Sequence, residues 1–144
     1  MFKQILTAAA ATMVFAGGNA IAMDGDIAEG EKVFRKCQAC HVVDDMKNRV
    51  GPHLMGVVGR DIAAVEKFKY SKGMVAYGEE NGKWTQQLLT DYLEAPRTTV
   101  KGTKMAFAGL KKEEDRVNVV AYIMSNGVTN EDGEVVAMED VATN

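Results

Sequence analysis

Cys37-Gln38-Ala39-Cys40-His41 decides how the rest of this chain is read. Two cysteines three positions apart can form thioether bonds to the two vinyl groups of a haem, and the adjacent histidine then sets its imidazole on the iron from one face of the ring. Other uses of the same residues have to be weighed. A thioredoxin-like thiol pair needs a βαβ setting, and the surrounding pattern supplies none. A zinc site on Cys37, Cys40 and His53 has the gap of a zinc finger but no second histidine after it, since His41 and His53 are the only two in the chain. A disulfide between Cys37 and Cys40 is sterically poor. Covalent haem attachment is the reading that uses the whole motif.

Upstream of the motif the chain opens Met1-Phe2-Lys3, runs through an apolar stretch from Ile5 to Ala16, breaks at Gly17-Gly18-Asn19 and reaches Ala20-Ile21-Ala22. One positive charge, a short apolar core and a small-x-small site make a bacterial-style secretory signal peptide over 1–22, with cleavage expected after Ala22. The alternatives are a membrane anchor, for which the run falls short of the about 20 apolar residues a bilayer needs, and a buried N-terminal helix. The signal places Met23–Asn144 in the periplasm, the compartment in which haem is attached to exported chains.

Downstream the periodicity is helical throughout. Asp26-Ile27-Ala28-Glu29 is a capping-box pattern, with Glu29 able to reach back, and Ile27, Gly30, Val33, Phe34 and Cys37 recur at helical spacing to about Gln38. Residues 42–60 carry Gly51, Pro52, Gly56 and Gly59 and read as an ordered irregular loop. Ser71 caps a short helix before Gly78, and Thr85 caps another whose apolar face is Leu88, Leu89, Tyr92 and Leu93 and which Pro96 ends near Glu94. Residues 95–110 form a further loop. Lys112 to Asn126 is the strongest helix, with Val117, Val120, Ala121 and Met124 on one side and Gly127 as its stop. Nothing alternates convincingly at period two, so the fold class is all-α, about four helices joined by long loops. Such loops are uncommon in compact domains unless something other than secondary structure holds them, and a central apolar group would do so.

Composition agrees with one globular domain: 144 residues, 47% hydrophobic, 26% charged, formal net charge −3. That balance argues against a nucleic-acid binder relying on bulk positive charge. The acidic residues Glu131, Asp132, Glu134, Glu139 and Asp140 share the last fifteen positions with no Lys or Arg, which reads as a solvated, flexible tail over 130–144 behind a nearly neutral domain, 23–129.

The second axial position on the iron decides between electron transfer and ligand binding. Histidine being scarce, the candidate is one of nine methionines. Met1 and Met13 leave with the signal, Met23 and Met138 lie near the ends, and Met124 falls on a helix core face. Met46 and Met55 are close to the histidine-side loop, and Met74 is ambiguous. Met105, in Lys101-Gly102-Thr103-Lys104-Met105-Ala106-Phe107, sits in a Gly-containing loop able to approach the opposite face. By position alone it is either a ligand or core filler.

Taken together these residues resemble the class I c-type cytochromes, in the cytochrome c2/c550 group of bacteria and their mitochondrial relatives. The resemblance runs from Gly25 to Asn126. It includes Gly25-Asp26-Ile27-Ala28-Glu29-Gly30-Glu31-Lys32-Val33-Phe34, Gly51-Pro52-His53-Leu54, Gly59-Arg60, Trp84 and Tyr92-Leu93-Glu94-Ala95-Pro96. The loop around Met105 and the helix containing Ala121-Tyr122-Ile123 complete it. It implies the class I cytochrome c fold around one covalently bound haem c, with Cys37 and Cys40 as thioether anchors and His41 and Met105 as axial ligands. It gives Pro52 the carbonyl that accepts the other imidazole N–H, Arg60, Tyr70 and Trp84 the propionates, and Tyr92 and Thr103 positions near the methionine sulfur. Gly30 and Phe34 are expected against Val119 and Tyr122. His53, Met74, Thr99 and Lys101 depart from the family pattern.

The function implied is that of a soluble, monomeric one-electron carrier without catalytic residues. The implied partners are membrane redox complexes such as a bc1 complex, a terminal oxidase or a photosynthetic reaction centre, or periplasmic dehydrogenases and reductases. Lys36, Lys47, Arg49, Arg97, Lys104 and Lys111 match or neighbour the basic ring around the haem edge in relatives. The rival reading is a haem protein that binds gases or peroxide at an open distal site; in the cytochrome c′ group, however, the motif lies near the C-terminus and there is no methionine ligand. A haem-free thiol–disulfide enzyme is a further alternative.

Overall fold

Asp26, Ser71 and Thr85 each begin a helix by accepting a hydrogen bond from a backbone N–H three residues on, at 2.9, 3.1 and 3.0 Å. A cap of this kind contributes about 1 kcal/mol. The computed structural model describes residues 25–141, so the expected signal peptide, 1–22, lies outside the described residues. In chain order the elements are α1 (Ile27–Phe34), α2 (Lys72–Asn81), α3 (Gln86–Tyr92), α4 (Pro96–Thr99), α5 (Glu113–Ser125), β1 (Val128–Thr129), β2 (Val135–Val136) and α6 (Met138–Val141).

Both α1 and α3 pack on α5. Gly30 makes the first of these contacts possible: a Cβ there would sit 1.9 Å from the Asn118 carbonyl oxygen and 2.8 Å from Cβ of Tyr122. The Asp26 N–H reaches the same turn of α5, donating to Asn118 Oδ1 at 2.8 Å. Phe34 stacks on Tyr122 with ring centroids 5.3 Å apart. Gly30 therefore faces Asn118 and Tyr122, one helical turn apart on one face of α5. Val119, expected in this contact, is fully buried in the same core cluster as Phe34 and also lines the central cavity. The reciprocal half of the capping box is not made: Asn118 takes the Asp26 N–H, and Glu29 pairs with Lys32.

Other differences from the sequence reading have equally local causes. The first helix ends at Phe34 rather than near Gln38, because the motif tightens into turns in which Cys37 and Gln38 both donate to the Phe34 carbonyl and His41 donates to that of Cys37. Gly78 does not stop α2. It lies inside the helix, where a Cβ would come within 2.8 Å of the Ile62 carbonyl oxygen, so the glycine serves a close approach. Pro96 both follows α3 and opens the short α4 at its first position, where a missing N–H costs nothing.

The acidic stretch read as a solvated tail carries folded structure. β1 and β2 pair antiparallel, Val128 with Val136 and Thr129 with Val135, and Val136, Met138 and Val141 pack on the core. The charged side chains of this stretch remain exposed, so charge and packing separate onto opposite sides. Strands of two residues are too short for period-two alternation to register in the sequence.

Candidate haem-binding site

Long loops and short helices enclose a cavity of about 310 Å³, within the range of small-molecule and cofactor sites. Its floor is apolar, formed by side chains such as Leu54, Val57, Leu89, Leu93, Val119 and Ile123. The structure brings to this one cavity every residue to which the sequence reading gave a haem role: Cys37, Cys40, His41, Pro52, Arg60, Tyr70, Trp84, Tyr92, Thr103 and Met105.

His41 is oriented by its backbone neighbours. Its Nδ1 lies 2.7 Å from the Pro52 carbonyl oxygen, so Nδ1–H donates there and Nε2 keeps its lone pair. Burial holds its pKa below the ordinary histidine value, with the Pro52 hydrogen bond opposing, so the ring is neutral at pH 7 and suited to a metal. Gly51 is packed against the imidazole: a Cβ there would lie 2.4 Å from Cε1. In the sequence Gly51 reads as a loop breaker and as part of the Gly51-Pro52-His53-Leu54 motif, with no packing role against His41.

Met105 is held from two sides. Tyr92 donates its hydroxyl to the Met105 sulfur at 3.5 Å, and the Met105 N–H donates to Thr103 Oγ1 at 3.2 Å. Tyr92 is in turn braced by Trp84, ring centroids 5.1 Å apart, and burial pushes its pKa up to about 12.

No disulfide joins Cys37 and Cys40, which leaves the disulfide alternative without support. Burial pushes the Cys37 thiol up to about 11, while Lys36 draws it back and Cys40 adds to the rise. A thiol–disulfide enzyme needs the opposite, a thiolate at neutral pH. No cluster of three His, Cys, Asp or Glu side chains suited to a metal ion forms among the described residues, so the zinc alternative is not assembled. His53 does not line the cavity; its Nδ1 lies 3.4 Å from Arg60 Nη1. Met74 does line it, whereas Met46 is 57% exposed and Met124 is buried in the core.

Arg60 supplies the test of fit. Its guanidinium donates to the carbonyls of His53 and Met55 at 3.1 and 3.2 Å, and burial lowers its pKa. It forms no ion pair with a carboxylate among the described residues. A half-buried cation at a cavity wall without its own anion suits a ligand that brings one, as a haem propionate does. Tyr70 OH accepts from the Val65 N–H at 3.3 Å and keeps its own proton to donate. Trp84 is set beside them because residues 59–62 run antiparallel to 82–84: Gly59 donates to the Trp84 carbonyl and Trp84 to that of Arg60.

The basic residues singled out for docking are all exposed. Lys36 and Lys104 lie on the cavity rim. Arg49 donates to the Gln38 carbonyl, Lys104 to that of Lys69 and Lys111 to that of Glu94.

Comparison with known proteins adds the relationship. The family described as cytochrome c matches residues 27–127. A cytochrome c2 of Agrobacterium tumefaciens is 42% identical over 102 residues, covering 70% of this chain and 92% of that protein. A cytochrome c2 of Afifella marina is 49% identical over 98 residues, covering 67% of this chain and 79% of that protein. Among solved structures, cytochrome cH from Methylobacterium extorquens superposes with a TM-score of 0.64 at 36% identity, over 70% of this chain and 99% of that one. With the motif, the cavity and its donors in one place, the chain belongs to the cytochrome c family, in the class I c2/c550 group that carries one covalently attached haem c.

Proposed function

We propose that the protein is a periplasmic one-electron carrier in which Cys37 and Cys40 would anchor the haem and His41 and Met105 would hold its iron. The observation that carries this reading is the presence in one cavity of two separately oriented donors: His41 turned by the Pro52 carbonyl and Met105 held by the Tyr92 hydroxyl. When bound, the haem supplies the one-electron chemistry, alternating between Fe(III) and Fe(II). Pro52, Tyr92 and Thr103 keep both donors in place through the cycle, so little rearranges as an electron moves. The apolar floor excludes water and, with the neutral sulfur of Met105, favours the less charged reduced state. Arg60, Tyr70 and Trp84 bind the propionates. No side chain is assigned a catalytic role.

Periplasmic location rests on residues 1–22, and among the described residues no helix is long and apolar enough to cross a membrane. Docking uses the cavity rim, with Lys36, Lys47, Arg49, Arg97, Lys104 and Lys111 steering the monomer toward acidic faces of a bc1 complex, a terminal oxidase, a photosynthetic reaction centre or periplasmic dehydrogenases and reductases. Stopped-flow oxidation of the reduced holoprotein by membranes of its host tests this. The bimolecular rate constant falls several-fold between about 0.01 and 0.15 M salt, over which the Debye length shrinks from about 30 to about 8 Å. A flat or rising dependence contradicts the basic docking face.

A further inference from the structure

We infer that Thr129 is a positioning residue for the haem site: it holds the turn over residues 55–60 in the shape that aims the Arg60 guanidinium, and thereby helps set the reduction potential. The inference rests on the reading of Arg60 as a propionate ligand, and it concerns a residue outside the 27–127 stretch that matches the family.

The turn is irregular and contains two residues in the left-handed region, Gly56 at φ +69° and Gly59 at φ +91°. Its inner side presents the Met55 carbonyl to Arg60, together with that of His53 just before it. Its outer side is occupied by Thr129. The Thr129 hydroxyl donates to the Gly56 carbonyl at 2.6 Å, and the Thr129 N–H donates to that of Val58 at 2.8 Å. The Thr129 carbonyl fills the space at Gly59, where a Cβ would lie 2.0 Å from its oxygen. Thr129 thus touches three of the four residues between Met55 and Arg60. Its strand partner Val135 supports the same place, since its Cγ2 would be 2.6 Å from a Cβ on Gly56.

The Gly56 and Val58 carbonyls lie in no helix or sheet, and among the described residues their donors are the Thr129 hydroxyl and the Thr129 N–H, so the outer carbonyls of the turn depend on this one residue. Removing the hydroxyl frees the Gly56 carbonyl and lets the turn relax. The Met55 and His53 carbonyls then hold the guanidinium less well, and the cation that favours reduced iron is less firmly fixed. The side chains facing Arg60 are His53 and Tyr70, and Asp45 faces His53 in turn; none of these touches Thr129 through a hydrogen bond.

The test is a double-mutant cycle on the full-length holoprotein, read as reduction potential at pH 7. Thr129→Val keeps the shape of the side chain and removes its donor; Thr129→Ser restores the donor. The inference expects Thr129→Val to lower the potential by part of the shift seen in Arg60→Gln, Thr129→Ser to return it, and Thr129→Val to add nothing in the Arg60→Gln background. Hydrogen exchange at the Gly59 and Arg60 amides should quicken in Thr129→Val. If Thr129→Val lowers the melting temperature with an unchanged potential, or shifts the potential equally in both backgrounds, Thr129 is merely structural and the inference fails alone. If Arg60→Gln itself leaves the potential unmoved, the propionate role of Arg60 fails with it. Should Thr129→Val yield no holoprotein, Thr129→Ala removes the same donor with less bulk and carries the same cycle, with Thr129→Ser again as the rescue.

Discussion

Tyr92 joins the chemistry of the site to the stability of the fold. Its ring is 4% exposed, its hydroxyl donates to Met105, and its pKa rises from about 10 to about 12 through burial, with Thr103 opposing. Below pH 10 folded and unfolded chains both keep the phenolic proton, and this group adds no pH dependence. Between about pH 10 and 12 the unfolded chain releases it while the folded one holds it, so stability falls as pH rises, by up to about 3 kcal/mol. Tyr92→Phe should therefore lose less stability than the wild type between pH 9 and 11.5 in guanidinium unfolding of the holoprotein. Equal losses would mean the phenol titrates normally. At this scale the cysteines and His41 were legible because covalent chemistry fixes their spacing, and the caps because Asp26, Ser71 and Thr85 act on their own next turn. Asn118 was not legible, since its partner Asp26 is 92 positions away. Thr129 was not either, because nothing local marks a threonine whose acceptor is Gly56.

Among the elements, the contact of α1 with α5 is the least forgiving. Gly30→Ala places a methyl group 1.9 Å from a backbone oxygen, which cannot swing aside as a side-chain tip can. The helices must separate, at a cost of about 3 kcal/mol or more. Thermal melting of the holoprotein measures this, and an unchanged melting temperature would show that the contact is looser than described. The four longer helices, α1, α2, α3 and α5, were legible in order from their periodicity, three of them also from a cap, whereas α4 and α6, four residues each, were too short to register. Their ends were not, because ends depend on tertiary acceptors: the motif's turns pull α1 short at Phe34, and Ile62 rather than a helix stop explains Gly78. The hairpin of β1 and β2 is not legible because its charge suggests solvent, while its apolar residues Val128 and Val136, with Met138 of α6 just after it, are the ones that pack on the core.

For the molecule as a whole, two features answer each other. Residues 42–60 and 100–110 are long and irregular, and both border the cavity, so the group within it supplies the contacts their missing secondary structure does not. In the function proposed above, this group is a haem held by His41 and Met105. An absorption spectrum of the holoprotein, oxidised and then reduced, taken through the visible and near infrared for the wild type and Met105→Ala, tests it directly. The expected result is a low-spin c-type spectrum with the weak iron–sulfur charge-transfer band in the oxidised wild type, and loss of that band in Met105→Ala. A high-spin wild type that responds to carbon monoxide, or a band that survives Met105→Ala, would contradict it.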